Sequence, residues 1–201
     1  MPLLDWLNKN EAVRTVQKVP YRLLEAVPEL GAGDPNTENM LIQGDNLEAL
    51  KALLPLYAGK VKCIYIDPPY NTGNRDFIYN DRFVDKDDAY RHSKWLEFMN
   101  RRLVLARELL AEDGVIFVSI DDGEACHLKL LMDSVFGVSQ FIGQFVWKSR
   151  QNKDNRTKNG ASIDHEYVFA YGIMLRGVER DHDQFKNPDN DLRGLWTSGN
   201  M

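Results

Sequence analysis

The chain has 201 residues, of which 43% are hydrophobic and 27% are charged, and these proportions exclude a wholly disordered protein. No run of about 18 apolar residues and no secretory leader occurs, so we expect no membrane span and no export. The formal net charge of −5 excludes binding to nucleic acid through overall charge, so such binding would need a local basic surface. The two cysteines, Cys63 and Cys126, lie far apart, which predicts no metal cluster and a reducing, cytoplasmic location.

The chain divides into three parts by composition. Residues 1–39 are irregular and end in a stretch rich in Gly, Pro and Asn, so we interpret them as an N-terminal extension. Residues 40–180 carry the regular apolar patterns of a folded domain. Residues 181–201 are polar and are interpreted as the truncated start of a following segment.

Strands and helices are predicted to alternate at the start of the main domain. Met40 to Gln43 predicts a short strand, and Asp45 or Asn46 is placed to cap the helix that follows. Val61 to Ile66 is nearly continuously apolar, which predicts a strand buried on both faces of a parallel sheet. The next predicted elements are a long helix over about 88–111, a second buried strand over Val115 to Ile120, and a helix from Glu124 to Phe136 that Gly137 closes.

Two strands without an intervening helix come next. Phe141 to Trp147 and Tyr167 to Leu175 predict an antiparallel pair joined by a long polar loop. That loop is basic, and its cationic residues are Lys148, Arg150, Lys153, Arg156 and Lys158. Two interpretations of the loop are open, because it could approach the phosphates of DNA or form a solvated hairpin loop.

The strand over Val61 to Ile66 runs directly into Asp67-Pro68-Pro69-Tyr70. Proline has no N–H to donate to a sheet, so the strand must end there. Ligands of open α/β sheets bind beyond the carboxyl ends of the strands, which places Asp67 and Tyr70 where a ligand would lie. The two prolines stiffen the backbone between them and hold such a site in position.

These residue types suit the exocyclic amine of a nucleic-acid base. The amine of adenine is a poor nucleophile because its lone pair is delocalised into the ring. An ionised Asp67 could accept one N–H bond and the Pro68 carbonyl the other, which would free the lone pair for attack, and charge-assisted bonds are about twice as strong as neutral ones. Tyr70 offers a ring on which a base can stack, a contact of roughly 1–3 kcal/mol. A base within a duplex must be flipped out to reach such a pocket.

The residues alone leave two other interpretations of Asp67 open. An acid at the end of an apolar strand is also typical of a magnesium-binding aspartate in an ATPase. That interpretation needs a Gly-x-x-x-x-Gly-Lys-Ser/Thr loop, which the sequence lacks. Asp67 could also be a simple helix cap, although the adjacent prolines make this awkward.

Longer segments carry a family resemblance. They are MLIQGDNLEALKALLPLYAGKVKCIYIDPPYNTGNRDFIYN at 40–80, HSKWLEFM at 92–99, GVIFVSIDD at 114–122, LMD at 131–133 with FG at 136–137, HEY at 165–167 and FKNPDNDLRGLW at 185–196. In this order they resemble the modification subunits of type III restriction–modification systems, which belong to the beta arrangement of amino-methyltransferases. The resemblance extends from residue 40 to residue 196.

The resemblance implies an α/β, Rossmann-like S-adenosylmethionine-dependent methyltransferase fold, here partial, with an antiparallel hairpin at one sheet edge. It implies site-specific DNA adenine N6-methylation, with Asp67, Pro68, Pro69 and Tyr70 as the catalytic motif and S-adenosylmethionine as the methyl donor. It also implies double-stranded DNA as substrate, an endonuclease subunit as partner and a homodimer of the full-length protein. Asp45 would lie near the donor, and the alternative is that it only caps its helix.

Other residues in the resembling segments are interpreted mainly as structural. Asp121 and Asp122 end a strand and are expected to cap the next helix rather than border the pocket. Trp95 is expected in the core rather than stacked on a base. His165 and Glu166 are interpreted as structural, the alternative being a part in shaping the target pocket.

One departure from the family is large. The Phe-x-Gly-x-Gly loop that holds the donor in this arrangement comes after the catalytic motif, and none occurs between Tyr70 and Met201. We therefore expect a fragment that is inactive alone. The alternatives are a non-catalytic remnant that binds a partner subunit or DNA, or a methyltransferase for cytosine N4 or another planar amine.

Overall fold

A computed structural model of the chain describes residues 4–34, 37–73, 76–79, 82–149 and 163–172. Four helices and six strands follow one another within these residues. In chain order they are α1 (Lys9–Lys18), α2 (Asn46–Tyr57), β1 (Val61–Ile66), β2 (Ile78–Tyr79), β3 (Arg82–Phe83), α3 (Arg91–Leu109), β4 (Leu110–Ile120), α4 (Ala125–Phe136), β5 (Phe141–Lys148) and β6 (His165–Gly172). Single 3₁₀ turns lie at Pro28–Leu30 and Val138–Gln140.

The main sheet has four strands in the order β1-β4-β6-β5. Strand β4 is parallel to β1 and follows it through α3, which makes a β-α-β unit. Strand β6 is antiparallel to both β4 and β5, so the β5–β6 hairpin extends the sheet and β5 lies at its margin. The mixed sheet confirms the expected partial Rossmann-like fold with an antiparallel hairpin at one edge.

The ends of the helices follow local sequence signals. The Asp45 carboxylate accepts hydrogen bonds from the backbone N–H groups of Leu47 and Glu48, at 2.8 and 3.3 Å, and so caps α2 as predicted. Helix α4 ends at Gly137, whose φ of 99° lies in the region that favours glycine. Both predicted helix boundaries are therefore confirmed to within a residue or two.

The main core forms where α3 and α4 cover one face of the sheet. Ile116, Val118 and Ile120 of β4 point to this face, and each is 0% exposed. They pack in one cluster with Trp95, Met99 and Leu103 of α3 and Leu128, Leu131 and Met132 of α4. Trp6 from the N-terminal part joins the same cluster, so residues before the predicted domain start contribute to its core.

Two predictions about the first strands are wrong. Met40 to Gln43 has no regular structure, and Met40 and Leu41 are exposed, because no strand of the described residues lies beside them to pair with. Strand β1 is not buried on both faces. Ile64 and Ile66 pack on the core, whereas Cys63 and Tyr65 point the other way and are exposed.

The boundary between the long helix and the next strand also differs from the prediction. Helix α3 ends at Leu109, and β4 starts at once with Leu110 rather than at Val115. Gly114 does not end the helix but lies inside β4, beside an irregularity in the pairing with β1. A Cβ at Gly114 would lie 2.9 Å from the carbonyl oxygen of Val61, so the close approach of the two backbones requires glycine there.

The hairpin confirms the predicted antiparallel pair. Strand β5 covers the predicted residues, and β6 begins two residues earlier than expected, at His165. The predicted end of that strand at Leu175 lies outside the described residues. None of the helices in the described part of the chain is long and apolar enough to cross a membrane.

Candidate active site at the carboxyl edge of the sheet

Strand directions bring three segments to one edge of the sheet. Strands β1 and β4 are parallel, so the residues after Ile66 and after Ile120 lie at the same edge. Strand β6 runs the opposite way, and its third residue, Tyr167, pairs with Ile120. The edge therefore combines the Asp67–Tyr70 motif, the acids after β4 and the first residues of β6.

The Asp67–Tyr70 motif forms a loop that is anchored at its third residue. Asp67 is exposed and Pro68 is buried. The indole N–H of Trp95, which is fully buried in α3, donates a hydrogen bond of 2.7 Å to the Pro69 carbonyl. Of the residues that the structure describes, none donates to the neighbouring Pro68 carbonyl. The core thus occupies one carbonyl of the loop and leaves the other as an acceptor.

The Tyr70 hydroxyl lies between two carboxylates. It donates to Glu166 Oε2 at 3.1 Å, and the carboxylate of Asp67 is close enough for its charge to act on the phenol. Partial burial raises the pKa of Tyr70 well above its ordinary range, and the negative charges of Asp67 and Glu166 raise it further. The phenol therefore stays protonated and acts as a donor that ties β6 to the motif.

The two acids after β4 have structural partners, as predicted in outline. The Asp121 carboxylate accepts from the backbone N–H of Gly123 at 2.9 Å and shapes the turn into α4, although the residue at the helix start itself is Glu124. The Asp122 carboxylate accepts a hydrogen bond of 2.9 Å from the Tyr167 hydroxyl. Asp122 therefore fastens β6 to β4 rather than capping the helix.

Asp45 lies beside a different cavity. This cavity has a volume of about 550 Å³, and Asp45, Phe98, Arg101 and Arg102 are among its lining residues. None of the described residues of the Asp67–Tyr70 motif lines it. Arg102 stacks on Phe98 and donates to the Asn46 side chain at 2.7 Å, and burial lowers its pKa to about 10. The cap of α2 is the observed role of Asp45, and its contact with a donor stays a prediction.

The family follows from the sequence as a whole. A profile described as DNA methylase, of the N6 and N4 type, matches residues 61–196, which is more than half of the chain and includes the carboxyl-edge loop. The chain belongs to the DNA methylase family. The expected resemblance to amino-methyltransferases is therefore confirmed.

Curated relatives of this DNA methylase include modification subunits. The chain is 39% identical over 218 aligned positions to the type III restriction-modification enzyme EcoP15I Mod subunit of Escherichia coli, with 96% of this chain and 33% of that protein covered. It is 42% identical over 227 positions to the EcoPI Mod subunit of Escherichia phage P1, with 96% and 34% covered. The chain thus spans about a third of the length of these relatives.

Solved structures include weaker similarities. The PvuII DNA methyltransferase, described as cytosine-N4-specific, has a TM-score of 0.46 at 16% identity, with 65% of this chain and 48% of that chain covered. A DNA modification methylase from Thermus thermophilus, complexed with S-adenosyl-L-methionine, has a TM-score of 0.44 at 16% identity, with 72% and 59% covered.

The predicted basic segment of the DNA methylase has one residue within the described part of the chain. Lys148 is exposed at the end of β5. Arg150, Lys153, Arg156 and Lys158 lie outside the described residues. The segment begins at the same sheet edge as the motif, since Lys148 pairs with His165 at the start of β6.

Sequence reasoning missed two residues of this region and favoured a structural role for a third. Glu166 was interpreted as structural, with a part in shaping the target pocket as the alternative, and its carboxylate contacts the tyrosine of the motif. Asn71 and Glu124 received no role, yet they bond to each other directly behind the motif loop, with 2.5 Å between Asn71 Nδ2 and Glu124 Oε1. A signal for Glu166 existed in the strand directions, because the first residues of a strand antiparallel to β4 must lie beside the carboxyl end of β4.

Proposed function

We propose that this chain provides the target-amine side of the active site of a DNA adenine N6-methyltransferase. The observation that carries the proposal is the loop Asp67–Tyr70 at the carboxyl edge of β1, where an exposed carboxylate is followed by a Pro68 carbonyl that accepts no hydrogen bond from the described residues. The Pro69 carbonyl is held by Trp95, so the loop is fixed before any substrate arrives.

The two acceptors give the loop its chemistry. The Asp67 carboxylate and the Pro68 carbonyl each accept one N–H of an adenine amine, which localises the lone pair of the nitrogen. S-adenosylmethionine supplies the methyl group when it is bound. The described residues fit the target side of this reaction, and the sequence has no Phe-x-Gly-x-Gly loop for the amino-acid part of the donor. We therefore expect this chain alone to bind the donor weakly and to be inactive, and isothermal titration calorimetry with S-adenosylmethionine tests that expectation.

Tyr70 supports the flipped-out base. Its hydroxyl donates to Glu166, which limits rotation of the ring and keeps one ring position relative to Asp67. Stacking of a base on such a ring contributes roughly 1–3 kcal/mol. Because Glu166 belongs to β6, the hairpin contributes to the pocket through this contact.

DNA contact is assigned to the basic segment that starts at Lys148. The formal net charge of −5 makes a local cationic surface necessary, and Lys148, Arg150, Lys153, Arg156 and Lys158 are the densest basic group in the sequence. In the full-length protein we propose that double-stranded DNA is the substrate, methylated at a specific sequence in the cytoplasm. Two copies of the protein and an endonuclease subunit complete the proposed restriction–modification enzyme.

Replacement of one carboxylate tests the proposal. Asp67→Asn should be made in the full-length polypeptide encoded by the gene, and Asp113→Asn, at an exposed acid paired with Lys62, is the matched control. Transfer of labelled methyl groups is measured on DNA with matched adenine and cytosine targets. We expect Asp67→Asn to lose at least about a hundredfold in rate and the control to keep its rate, since a lost polar contact in the transition state costs about that much.

Three outcomes would contradict the proposal. Full activity of the Asp67→Asn variant would remove Asp67 from the reaction. Methylation of cytosine but not of adenine would move the enzyme to the cytosine N4 alternative. A full-length protein that binds DNA or its partner subunit without transferring methyl groups would support the non-catalytic alternative.

A further inference from the structure

Asn71, the residue after the catalytic motif, is held in an unusual backbone conformation. Its φ is 58°, which few residues other than glycine adopt, and it is only 4% exposed. Its side-chain amide donates to Glu124 Oε1 at 2.5 Å and to the Arg91 carbonyl at 3.3 Å. The loop therefore leaves the motif through a residue that is bonded to the starts of both α3 and α4.

Glu124 is itself held by two histidines. It is 1% exposed, and its two carboxylate oxygens are each 2.7 Å from a ring nitrogen, Nδ1 of His92 for one oxygen and Nδ1 of His127 for the other. The two imidazole rings lie against each other with centroids 4.7 Å apart. Arg91 Nε donates to His92 Nε2 at 3.2 Å, so the proton of a neutral His92 is on Nδ1, facing Glu124.

The three donors satisfy a carboxylate that would otherwise be expensive to bury. Burial opposes the ionisation of Glu124 and is the largest influence on it, but the hydrogen bonds from His127, Asn71 and His92 outweigh burial and lower the pKa. The carboxylate is therefore ionised at neutral pH and makes charge-assisted bonds, which are stronger than neutral ones.

We propose that His92, Glu124 and His127 form a clamp that positions the catalytic loop through Asn71. Glu124 is the positioning residue, because its carboxylate bonds to both histidines and to Asn71. The clamp rests on the proposed function for its role in methylation, but the ordering of the loop is a property of the chain itself. Together with the bond from Trp95 to Pro69, it fixes the loop at Pro69 and Asn71, the two residues that flank Tyr70.

The same cluster has a competing interpretation as a metal site. One ligand-capable atom from each of His92, Glu124 and His127 lies within 4.8 Å of the others, and histidine and carboxylate ligands suit a divalent transition metal. Both Nδ1 atoms already face a carboxylate oxygen at hydrogen-bond distance, so a metal would have to displace both contacts. The hydrogen-bonded clamp accounts for the geometry without an ion, and the two interpretations predict opposite results with zinc.

A glycine substitution tests the clamp with a matched control. Asn71→Gly removes the side-chain tether but suits the positive φ, so the backbone conformation remains accessible. Asn8→Gly makes the same change at Asn8, which has a φ of 65° and is exposed. Hydrogen–deuterium exchange is measured for peptides spanning residues 66–73. We expect exchange at least about tenfold faster in Asn71→Gly and unchanged in Asn8→Gly, because a bond to a charged group is lost.

A second pair of variants tests Glu124 itself. Glu124→Gln keeps one acceptor for Asn71 but cannot accept from both histidines, and Glu112→Gln changes an exposed acid of β4 as its control. We expect faster exchange over residues 66–73 only in Glu124→Gln. Unchanged exchange in both Asn71→Gly and Glu124→Gln would overturn the clamp. Binding of one equivalent of zinc that is lost in His127→Ala would also overturn it, in favour of the metal site.

The two proposals fail in distinguishable ways. Exchange is measured on the chain without DNA or donor, so the clamp can be supported even if no methylation is found. In the full-length enzyme, Glu124→Gln should lower kcat about tenfold and leave KM for DNA nearly unchanged, since a positioning residue acts on the bound complex. A rise in KM alone would assign Glu124 to DNA binding and contradict the positioning role.

Discussion

The two faces of the main sheet are alike in composition and opposite in environment. The covered face includes Ile116, Val118 and Ile120, which are 0% exposed beneath α3 and α4. The open face includes Tyr65, Phe145 and Trp147, which are 63%, 54% and 65% exposed. Successive side chains of a strand point to opposite faces, and the even-numbered residues of β4 point to the covered face. Tyr65 pairs with Phe117, which points to the open face. The register of β5 and β6 gives Phe145 and Trp147 the same orientation.

This contrast shows what an apolar strand does and does not reveal. The run Val61–Ile66 identifies β1 correctly, because it is apolar and bounded by Gly59 and Pro68. It does not reveal whether one layer of helices or two will pack on the sheet. An apolar outer face is typical of surfaces that contact other protein, so its composition agrees with a chain that spans about a third of its relatives.

The largest expected effect on stability comes from placing a charge on the covered face of β4, and the same charge on its open face is the comparison. Val118→Asp buries an unpaired carboxylate where Val118 is 0% exposed, and we expect it to remove most of the native stability, several kcal/mol of a typical ~5–15. Val115→Asp puts the same group on the open face, where it reaches water, and that variant should still unfold cooperatively. Circular dichroism during urea unfolding measures both, and equal losses would mean that the two faces do not differ.

Two tyrosines provide a milder version of the same comparison. The hydroxyl of Tyr171, buried on the covered face, donates to Asp133 Oδ1 at 2.8 Å, and that of Tyr65 shares a hydrogen bond of 2.7 Å with Ser119 Oγ. Tyr171→Phe should lower the free energy of unfolding by about 1.5 kcal/mol because its partner is charged, and Tyr65→Phe by about 0.5 kcal/mol. Urea titration of both variants tests this order, and a larger loss in Tyr65→Phe would reverse the assignment of the faces.

A smaller effect, on the pH dependence of stability, is expected at His127 and Glu124 of the clamp. The hydrogen bond to Glu124 raises the pKa of His127 above its usual 6.5, while burial and the charge of Arg91 oppose this. The stabilisation of the folded state by protonated His127 is complete below pH 6.5 and is lost as the pH rises through the raised pKa. The pKa of Glu124 is lowered below its usual 4.5, so its contribution is present above pH 4.5 and lost as the pH falls through the lowered value.

His127 and Glu124 together should contribute most to the free energy of unfolding between pH 4.5 and 6.5. Unfolding midpoints measured from about pH 4 to about pH 9 should therefore fall above pH 6.5 in the native chain, and this fall should shrink in His127→Gln. The pKa of neighbouring Asp121 is raised by burial and by the charges of Asp122 and Glu124. An identical pH profile in His127→Gln would remove His127 from the clamp.

The smallest expected effect is chemical modification of the open face. Cys63 is exposed on that face, and Cys126 is exposed at the start of α4. In a Cys126→Ser variant, a maleimide should react with Cys63 in the folded chain at about the rate of a free thiol and leave the unfolding midpoint unchanged. Protection of Cys63 that disappears on dilution would show that a second copy covers the open face.

The order of β1, α3, β4, α4, β5 and β6 could be predicted because their apolar runs are mostly bounded by glycine, proline or an acid. Helix α1 and the short β2–β3 hairpin were not predicted, since their segments are polar and irregular in pattern. Asp45 caps α2 as predicted, and Gly137 ends α4. Met40 to Gln43 shows the limit of that reasoning, since apolar residues form a strand only when another strand lies beside them. Gly114 was misjudged for a related reason, because the need for glycine comes from the backbone of β1, which is distant in sequence.

The place of the Asp67–Tyr70 loop at the carboxyl end of β1 could be predicted because its four residues are contiguous and its prolines end the strand, whereas its catalytic role stays a prediction. Glu166 could not be assigned in the same way, since its contact with Tyr70 depends on β6 being antiparallel to β4. Asn71 and Glu124 are 53 residues apart, and only the packing of α3 against α4 brings them together. Residues that act alone are visible in a sequence, whereas residues that act through a partner need the fold.

The contact between Tyr70 and Glu166 joins residues 96 positions apart in the chain. During translation, a ribosome releases the tyrosine long before it has synthesised the glutamate. Until β6 emerges from the exit tunnel, the phenol of a nascent chain has only the aspartate beside it. Formation of this contact is therefore a late event in biosynthesis, set by the last of the described strands to be made.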